Sequence, residues 1–430
     1  MTWPLTVLGI VVFAAALTVS VAWHELGHLL PAKAFGVRVT RYFVGFGPTV
    51  FSRTWGGTEY GLKALPLGGF IRMAGMYSPA DTGRRPRFRW QAALESEVRH
   101  LSAAEVESVG VDHAFYRLSA PRKAVVMLGG PTMNLVLAII LTAVVFSGIG
   151  ALTEPSLTLE SVSPCAAPQT GVVSCDTDDA VPTPAAEAGL RAGDTLRTWQ
   201  GVALDSWTAF QDAIQATGTT PAEVGIERDG RPETLTITPM PIDTGDGEPS
   251  GAVVVGVTSQ MERVRLPLSA VPGILWSQIA GAAQAYARLP VAVWETVRAT
   301  VGGEERDPAR SPMSIVGIAR LQGEATADSV GEDSSDVWAS RWATWLSIAA
   351  MLNLALWLFN LLPLLPLDGG HVAGALIEGL RRTWARVRHR PRTGPLDLAR
   401  AIPVTYGVFA AIILMTVALV WADIVNPISL

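Results

Sequence analysis

The stretch Val11-Val-Phe-Ala-Ala-Ala-Leu-Thr-Val-Ser-Val-Ala-Trp-His24-Glu25-Leu-Gly-His28-Leu-Leu30 decides how this chain is read. It sets two histidines and a glutamate inside an otherwise apolar run. Spaced four apart, His24 and His28 fall on one face of a helix, where two imidazoles can hold one Zn²⁺. Glu25 between them is placed to take a proton from a water that the metal activates. Ionisable side chains are costly at membrane depth and mark a functional site by default. The plain alternative is a pair of histidines buried in helix packing.

Working outward, the 430 residues are 49% hydrophobic and 17% charged, with a mean hydropathy of +0.32, an integral-membrane balance. Segments 5–30, 124–152, 343–365 and 401–425 each reach the roughly 20 apolar residues that a bilayer crossing needs. The fold class expected is therefore a polytopic α-helical membrane protein with about four transmembrane helices. The first span is not read as a cleaved signal, because no basic residue precedes Lys33 and cleavage would remove the histidines.

Charge is unevenly shared among the connections. Residues 31–123 carry 14 Lys/Arg against 7 acids, and residues 151–300 carry 8 Arg against 18 acids. Residues 381–400 carry 7 Arg and one Asp. The positive-inside rule then puts the first and third connections in the cytoplasm, and the middle region and both termini outside. Cys165 and Cys175 fall on the outer side, where a disulfide closing that short loop is expected; two free thiols or a metal role are the alternatives. The run Arg84-Arg-Pro-Arg-Phe-Arg89, in a segment expected to be mobile with short helices, suits an anionic membrane face better than nucleic acid.

Between the first two spans, β-branched and aromatic residues alternate with Gly and Pro. A turn at Gly56-Gly57 reads as the centre of a β-sheet dipping towards the membrane. Such a sheet is tolerated at membrane depth only where it lines a protein cavity, and its free edge suits an extended substrate; a plain cytoplasmic hairpin is the alternative. Far downstream, Asn360-Leu-Leu-Pro-Leu-Leu-Pro-Leu-Asp368-Gly-Gly-His371 ends the third apolar segment. Two prolines three residues apart must break a helix. Asp368 there completes a His₂-Asp set with a fourth position open for water.

The expected organisation is 1–34 first transmembrane helix, 35–80 membrane-associated sheet, 81–123 cytoplasmic segment and 124–152 second transmembrane helix. It continues as 157–241 small extracytoplasmic domain and 266–300 interfacial amphipathic helix, with a fifth span as the alternative for the latter. Residues 343–380 hold the third transmembrane helix and its proline motif, and 401–425 the fourth helix. Within 157–241, Pro184-Ala-Ala-Glu-Ala-Gly-Leu-Arg-Ala-Gly-Asp-Thr-Leu196 resembles a phrase of the PDZ domains of bacterial envelope proteases. That likeness implies binding of extended peptide ends, and a spacer without ligand is the alternative.

Taken together, the HExxH motif, the N-x-x-P-x-x-P-x-D-G motif, Pro66-Leu-Gly-Gly-Phe-Ile-Arg-Met-Ala-Gly75 and Gly129-Gly-Pro-Thr-Met-Asn134 resemble the bacterial site-2 proteases. These are intramembrane zinc metalloproteases of the regulator-of-sigma-E-protease kind. The resemblance implies His24, His28 and Asp368 as Zn²⁺ ligands and Glu25 as the catalytic base. It also implies that the sheet around Gly68 and Gly69 presents substrate, and that Asn134 and Asn360 hold its backbone or the reacting carbonyl. Implied partners are membrane lipids and single-span membrane proteins such as anti-sigma factors, trimmed first by an upstream site-1 protease; nucleic acid is not expected. The implied location is the bacterial inner membrane, with the active site towards the cytoplasm. One departure is the single PDZ-like unit where enterobacterial relatives carry two. His371 is expected to support the ligands from behind. Two rival readings are a non-enzymatic zinc-containing adaptor, and a zinc protease taking Glu378 as third ligand.

Overall fold

A 32-residue helix, α1 (Trp3–Ala34), carries the opening apolar run and both histidines. At 1.5 Å per residue it is about 48 Å long, longer than a bilayer core. Its buried residues, among them Gly9, Phe13, Leu17, Val21, Glu25, His28 and Ala32, recur every three or four positions, so one face is committed to protein. The computed structural model describes residues 3–78, 89–166, 175, 181–241, 253–307, 310–328, 334–390 and 394–428. It divides into two compact units, residues 1–149 with 267–430, and residues 150–266.

The first unit continues with strands β1 (Val39–Trp55) and β2 (Thr58–Met73). Gly56 and Gly57, both at positive φ, make the tight reversal between them. Both strands bend, so residues 41–44 pair with 69–72 on one side and with 59–62 on the other. Tyr42 donates from its hydroxyl to the Ala22 carbonyl of α1 at 2.6 Å, which holds this sheet against the helix.

Helices α2 (Arg89–Val109), α3 (Ala120–Ala143), α4 (Val271–Gly302), α5 (Ile315–Asp328), α6 (Ser334–Asn360), α7 (Asp368–Val387) and α8 (Ile402–Val425) complete the unit. Among the described residues four helices are long and apolar enough to cross a membrane: Trp3–Ala34, Ala120–Ile149, Val337–Asn360 and Leu398–Val425. The 32-residue α4, with Pro290 inside it, is not one of them.

Close backbone contact sets how these helices cross. A β-carbon at Gly27 would overlap the Gly129 carbonyl of α3, and one at Gly129 would overlap the Gly27 carbonyl. Small residues are what let two membrane helices approach this far. Nearer the start of α1, Gly9 and Gly323 of α5 play the same part for that pair of helices, and Gln322 donates to the Gly9 carbonyl at 3.1 Å.

Two features differ from the sequence expectations. Helix α5 was not anticipated; its mixed composition hides an apolar side that meets α1. The segment expected to be mobile between 81 and 118 contains the 21-residue α2, fastened by Arg99 to Asp397 at 2.7 Å. Of the basic run 84–89, only Arg89 lies within the described residues. The third apolar segment breaks where its two prolines predict: α6 begins at Ser334 and ends at Asn360, and α7 begins at Asp368.

The second unit builds its own core. Strands run in the order Val257–Val264, Ala151–Val162, Thr195–Trp199, Ala222–Arg228, Arg231–Ile237, over a helix Trp207–Thr217 that buries Phe210 and Ile214. Ser206 caps that helix by accepting from the Ala209 amide, and Asp229-Gly230 turns the last hairpin at positive φ. Cys165 and Cys175 are disulfide-bonded.

Asp194 ties the Gly-rich phrase of this unit to its sheet. It accepts from the Arg191 amide at 2.8 Å and from two guanidinium nitrogens of Arg228 at 2.7 Å each. Burial pushes this carboxyl up, but Arg228 and the Arg191 amide outweigh burial and hold it below the ordinary aspartate value. Its contribution is therefore complete above about pH 4 and is lost as the pH falls through the depressed folded value. Asp194→Asn should cost this unit about 1–3 kcal/mol at neutral pH. The expected readout is faster amide hydrogen exchange in Thr195–Trp199 and Ala222–Arg228 of the full-length chain; unchanged exchange would contradict the assignment.

Candidate metal centre

One turn of α1 and the first residue of α7 bring three side chains to a point. His24 Nε2 and His28 Nε2 lie 3.2 Å apart, and the Asp368 Oδ2 is 3.1 Å from the first and 3.3 Å from the second. A tetrahedral Zn²⁺ with bonds of about 2.0–2.1 Å separates its ligand atoms by about 3.3–3.4 Å. The triangle thus has the size such an ion requires. The donor set also fits: two imidazole nitrogens and a carboxylate oxygen converge in a buried place, where their lone pairs would repel without a cation.

What surrounds the histidines prepares them for this. His28 Nδ1 is 2.8 Å from the Val126 carbonyl of α3. A carbonyl only accepts, so Nδ1 carries the proton and Nε2 keeps its lone pair. His24 Nδ1 lies 3.1 Å from the side-chain amide of Asn134, whose other amide atom is buried without a partner. Amide oxygen and nitrogen are interchangeable in shape. With the oxygen towards His24, Asn134 accepts from Nδ1–H and leaves Nε2 for the metal, the pattern seen behind metal-bound histidines.

Asn134 itself is 0% exposed. Its amide is engaged with a histidine of α1. Asn360 sits at the last position of α6 and donates one amide hydrogen to the Leu356 carbonyl at 3.0 Å. Gly69 lies on the β2 edge beside the site, where a β-carbon would meet Glu25 Cγ at 3.2 Å. Gly68, at φ 95°, makes the bend before it. Glu25 is buried on α1 next to His24.

Three glycines prove decisive for the geometry of this centre. A β-carbon on Gly130 would fall onto the imidazole nitrogens of His28 and His24, so only glycine leaves α3 clear of them. Gly369 and Gly370 do the corresponding work for Asp368. The segment between α6 and α7 folds back so tightly that a β-carbon on Gly370 would come within 2.6 Å of the Leu365 nitrogen. That fold-back, with a cis bond before Pro366 and Leu367 donating to the Leu364 carbonyl, sets the start of α7.

Glu378, the rival third ligand, is engaged elsewhere. One oxygen accepts from Lys123 Nζ at 2.7 Å and from the Leu396 amide at 3.1 Å, and the other is ion-paired with Arg382 at 2.6 Å. A buried carboxylate with two cations is satisfied without a metal. His371 lies one turn after Asp368 and lines a cavity of about 20 Å³ with Lys123 and Glu378. Its Nδ1 is buried without a protein partner, and the cavity has room for one water to satisfy it.

With this geometry in hand, the comparisons are direct. The family model described as Peptidase family M50 matches residues 12–391. The chain is a member of peptidase family M50. Over 448 aligned residues it is 34% identical to the zinc metalloprotease Rip1 of Mycobacterium tuberculosis, covering 99% of each chain. It is 32% identical over 443 residues to Rip1 of Mycolicibacterium smegmatis, with 98% coverage of both. The zinc metalloprotease RasP of Geobacillus kaustophilus is 27% identical over 466 residues, covering 96% of each. This M50 member is thus a membrane zinc metalloendopeptidase of the site-2 type, which sets aside the non-enzymatic adaptor.

Gly130→Val should lower the zinc retained by the purified protein at least about tenfold, measured by atomic emission after dialysis, with helix content by circular dichroism preserved. Full zinc retention would contradict the placement of Gly130 against the imidazoles.

Proposed function

We propose that this M50 protease cleaves the transmembrane segment of single-span membrane proteins, with His24, His28 and Asp368 as the zinc ligands and Glu25 as the general base. The observation that carries the reading is the convergence of those three ligand atoms beside Glu25 and the edge of β2. When bound, zinc lowers the pKa of a coordinated water to about 7 and polarises the scissile carbonyl. Glu25 takes the proton of the attacking water and delivers it to the leaving nitrogen, so one side chain serves as base and then as acid. Its burial keeps bulk water from competing for that proton.

A transmembrane helix hides its carbonyls in i to i−4 hydrogen bonds, so the substrate must be extended before cleavage. The β2 edge at Gly68-Gly69 supports strand addition for this purpose, because Gly69 lets the strand pack closely onto α1 and so holds that edge next to Glu25. Asn360, with its amide oxygen not committed to the helix, holds the substrate's backbone from the opposite side. Asn134 acts through His24, fixing its ring, and does not touch substrate. The residue-150 to -266 unit is a single PDZ-like domain that selects substrates by their trimmed outer ends. The target class favoured by the family is an anti-sigma factor already cut by a site-1 protease.

For orientation, the disulfide and the acidic charge of the middle region support an extracytoplasmic place for the second unit. Both termini are then outside and the metal centre opens towards the cytoplasm of a bacterial inner membrane.

The test is co-expression with single-span anti-sigma factors carrying tags on both ends. Glu25→Gln should retain zinc while cleavage falls about 10²- to 10⁴-fold. Asp368→Ala should lose zinc and cleavage together, whereas Glu378→Ala should keep zinc. Cleavage by Glu25→Gln, or zinc loss on Glu378→Ala alone, would overturn the assignment of roles.

A further inference from the structure

Helix α7 has a second face that the metal centre does not use. Gly374, Glu378 and Ala385 turn one side towards the protein. On the opposite side Leu376, Ile377, Leu380, Trp384 and Val387 are 60%, 49%, 71%, 60% and 68% exposed. Placed at about 100° per residue, these five fall within an arc of about 100°, a continuous apolar stripe nearly three turns long. Arg381 and Arg388 border the stripe on one side and Arg386 on the other, and the Arg388 guanidinium sits 4.8 Å over the Trp384 ring. Arg381, Arg386, Arg388 and Arg390 have no carboxylate within pairing distance among the described residues, while Arg382 is held by Glu378.

Exposed leucines on a membrane protein need only lipid tails as neighbours. This stripe differs because cations rim it, and guanidinium groups are not stable among hydrocarbon tails. α7 is also not among the four helices fit to cross. A helix with an apolar stripe, a tryptophan at its edge and arginines along both borders belongs at the depth of phospholipid headgroups. There the stripe enters the acyl boundary and the arginines meet phosphate.

We propose that the C-terminal half of α7 is a docking surface for an anionic phospholipid membrane face. The occupant is assigned by charge: residues 381–400 carry 7 Arg and one Asp, and that Asp397 is paired with Arg99 and Arg400. A neutral protein surface would leave the arginines unpaired, and a zwitterionic lipid face would attract them weakly. Because α7 begins at Asp368, docking its far half on the membrane fixes the element that presents the third ligand. The lipid surface stands independently of the zinc reading; only this link to Asp368 rests on it.

The experiment uses the full-length protein in nanodiscs of phosphatidylcholine alone and of phosphatidylcholine mixed with phosphatidylglycerol. The native cysteines are in a disulfide and no other is present, so Leu380→Cys gives a unique site for an environment-sensitive label. The expected result is a blue-shifted label, quenched by nitroxide lipids of shallow depth and protected from aqueous iodide, with quenching that rises when phosphatidylglycerol is present. Combining Arg381→Ser, Arg386→Ser and Arg388→Ser should remove that rise, each arginine shifting the ratio of inserted to free label roughly fivefold. Zinc content reports whether the combined variant is folded; should it not be, the comparison of the two lipid compositions with Leu380→Cys alone decides. A label open to iodide in both membranes overturns the proposal. So does equal lipid quenching in both, which means a stripe indifferent to charge, and so does protection from iodide without lipid quenching, which means a protein covers it.

Discussion

Holding ionisable groups at membrane depth is the constraint from which the rest of this structure follows. Two histidines, a glutamate and an aspartate lie together, Glu25 and His28 buried and His24 and Asp368 mostly so, and each must be neutral, paired or bound to a cation to persist there. The crossing of α1 and α3 at Gly27 and Gly129 brings backbone carbonyls and Asn134 behind the imidazoles, so their outer nitrogens are satisfied and their inner ones are aimed. The fold-back at Gly369-Gly370 then delivers one carboxylate to the same point. Neither half makes a site alone.

The same rule governs the other buried charges of the membrane unit. The Glu378 carboxylate of α7 is paired with Lys123 of α3 and with the half-exposed Arg382. Arg306, with a fully buried guanidinium, donates to Asp423 at 2.8 Å and to the carbonyls of Asn426 and Pro312, and Asp423 in turn accepts from the Ser314 amide. Removing one partner of such a pair strands a charge, which costs more than the pair contributes. These clusters brace the loops on which the helices turn, and among the described residues they leave the metal centre as the place where a carboxylate and two imidazoles converge.

The chemistry was more legible in the sequence than the packing that supports it. HExxH can be read locally because a helix fixes the distance between residues four apart. Asp368 can be read because Pro363 and Pro366 announce a break in an apolar segment, and a break at that depth needs a purpose. The phrase ending in Gly193-Asp194 was legible too, since the turn and the strand entry lie within a few residues of each other. By contrast, the task of Gly130 depends on imidazoles about 100 residues earlier, and nothing in its neighbours discloses them. Helix α5 was missed because its apolar side has meaning only against Gly9 of α1. The enclosure of Asn134 behind His24 is equally silent in its sequence neighbourhood. Local rules reveal periodic elements and motifs; which faces meet is decided by contacts across hundreds of residues.

The account stands most directly on the identity of the atoms around the metal. X-ray absorption at the zinc edge of the metal-loaded protein in a bilayer should show light-atom neighbours at about 2.0–2.1 Å, with the multiple scattering of two imidazoles. In Asp368→Ala, reloaded under the same conditions, the zinc signal itself should be lost with the metal. A spectrum fitted by fewer than two imidazoles, or one left unchanged when Asp368 is removed, would contradict it.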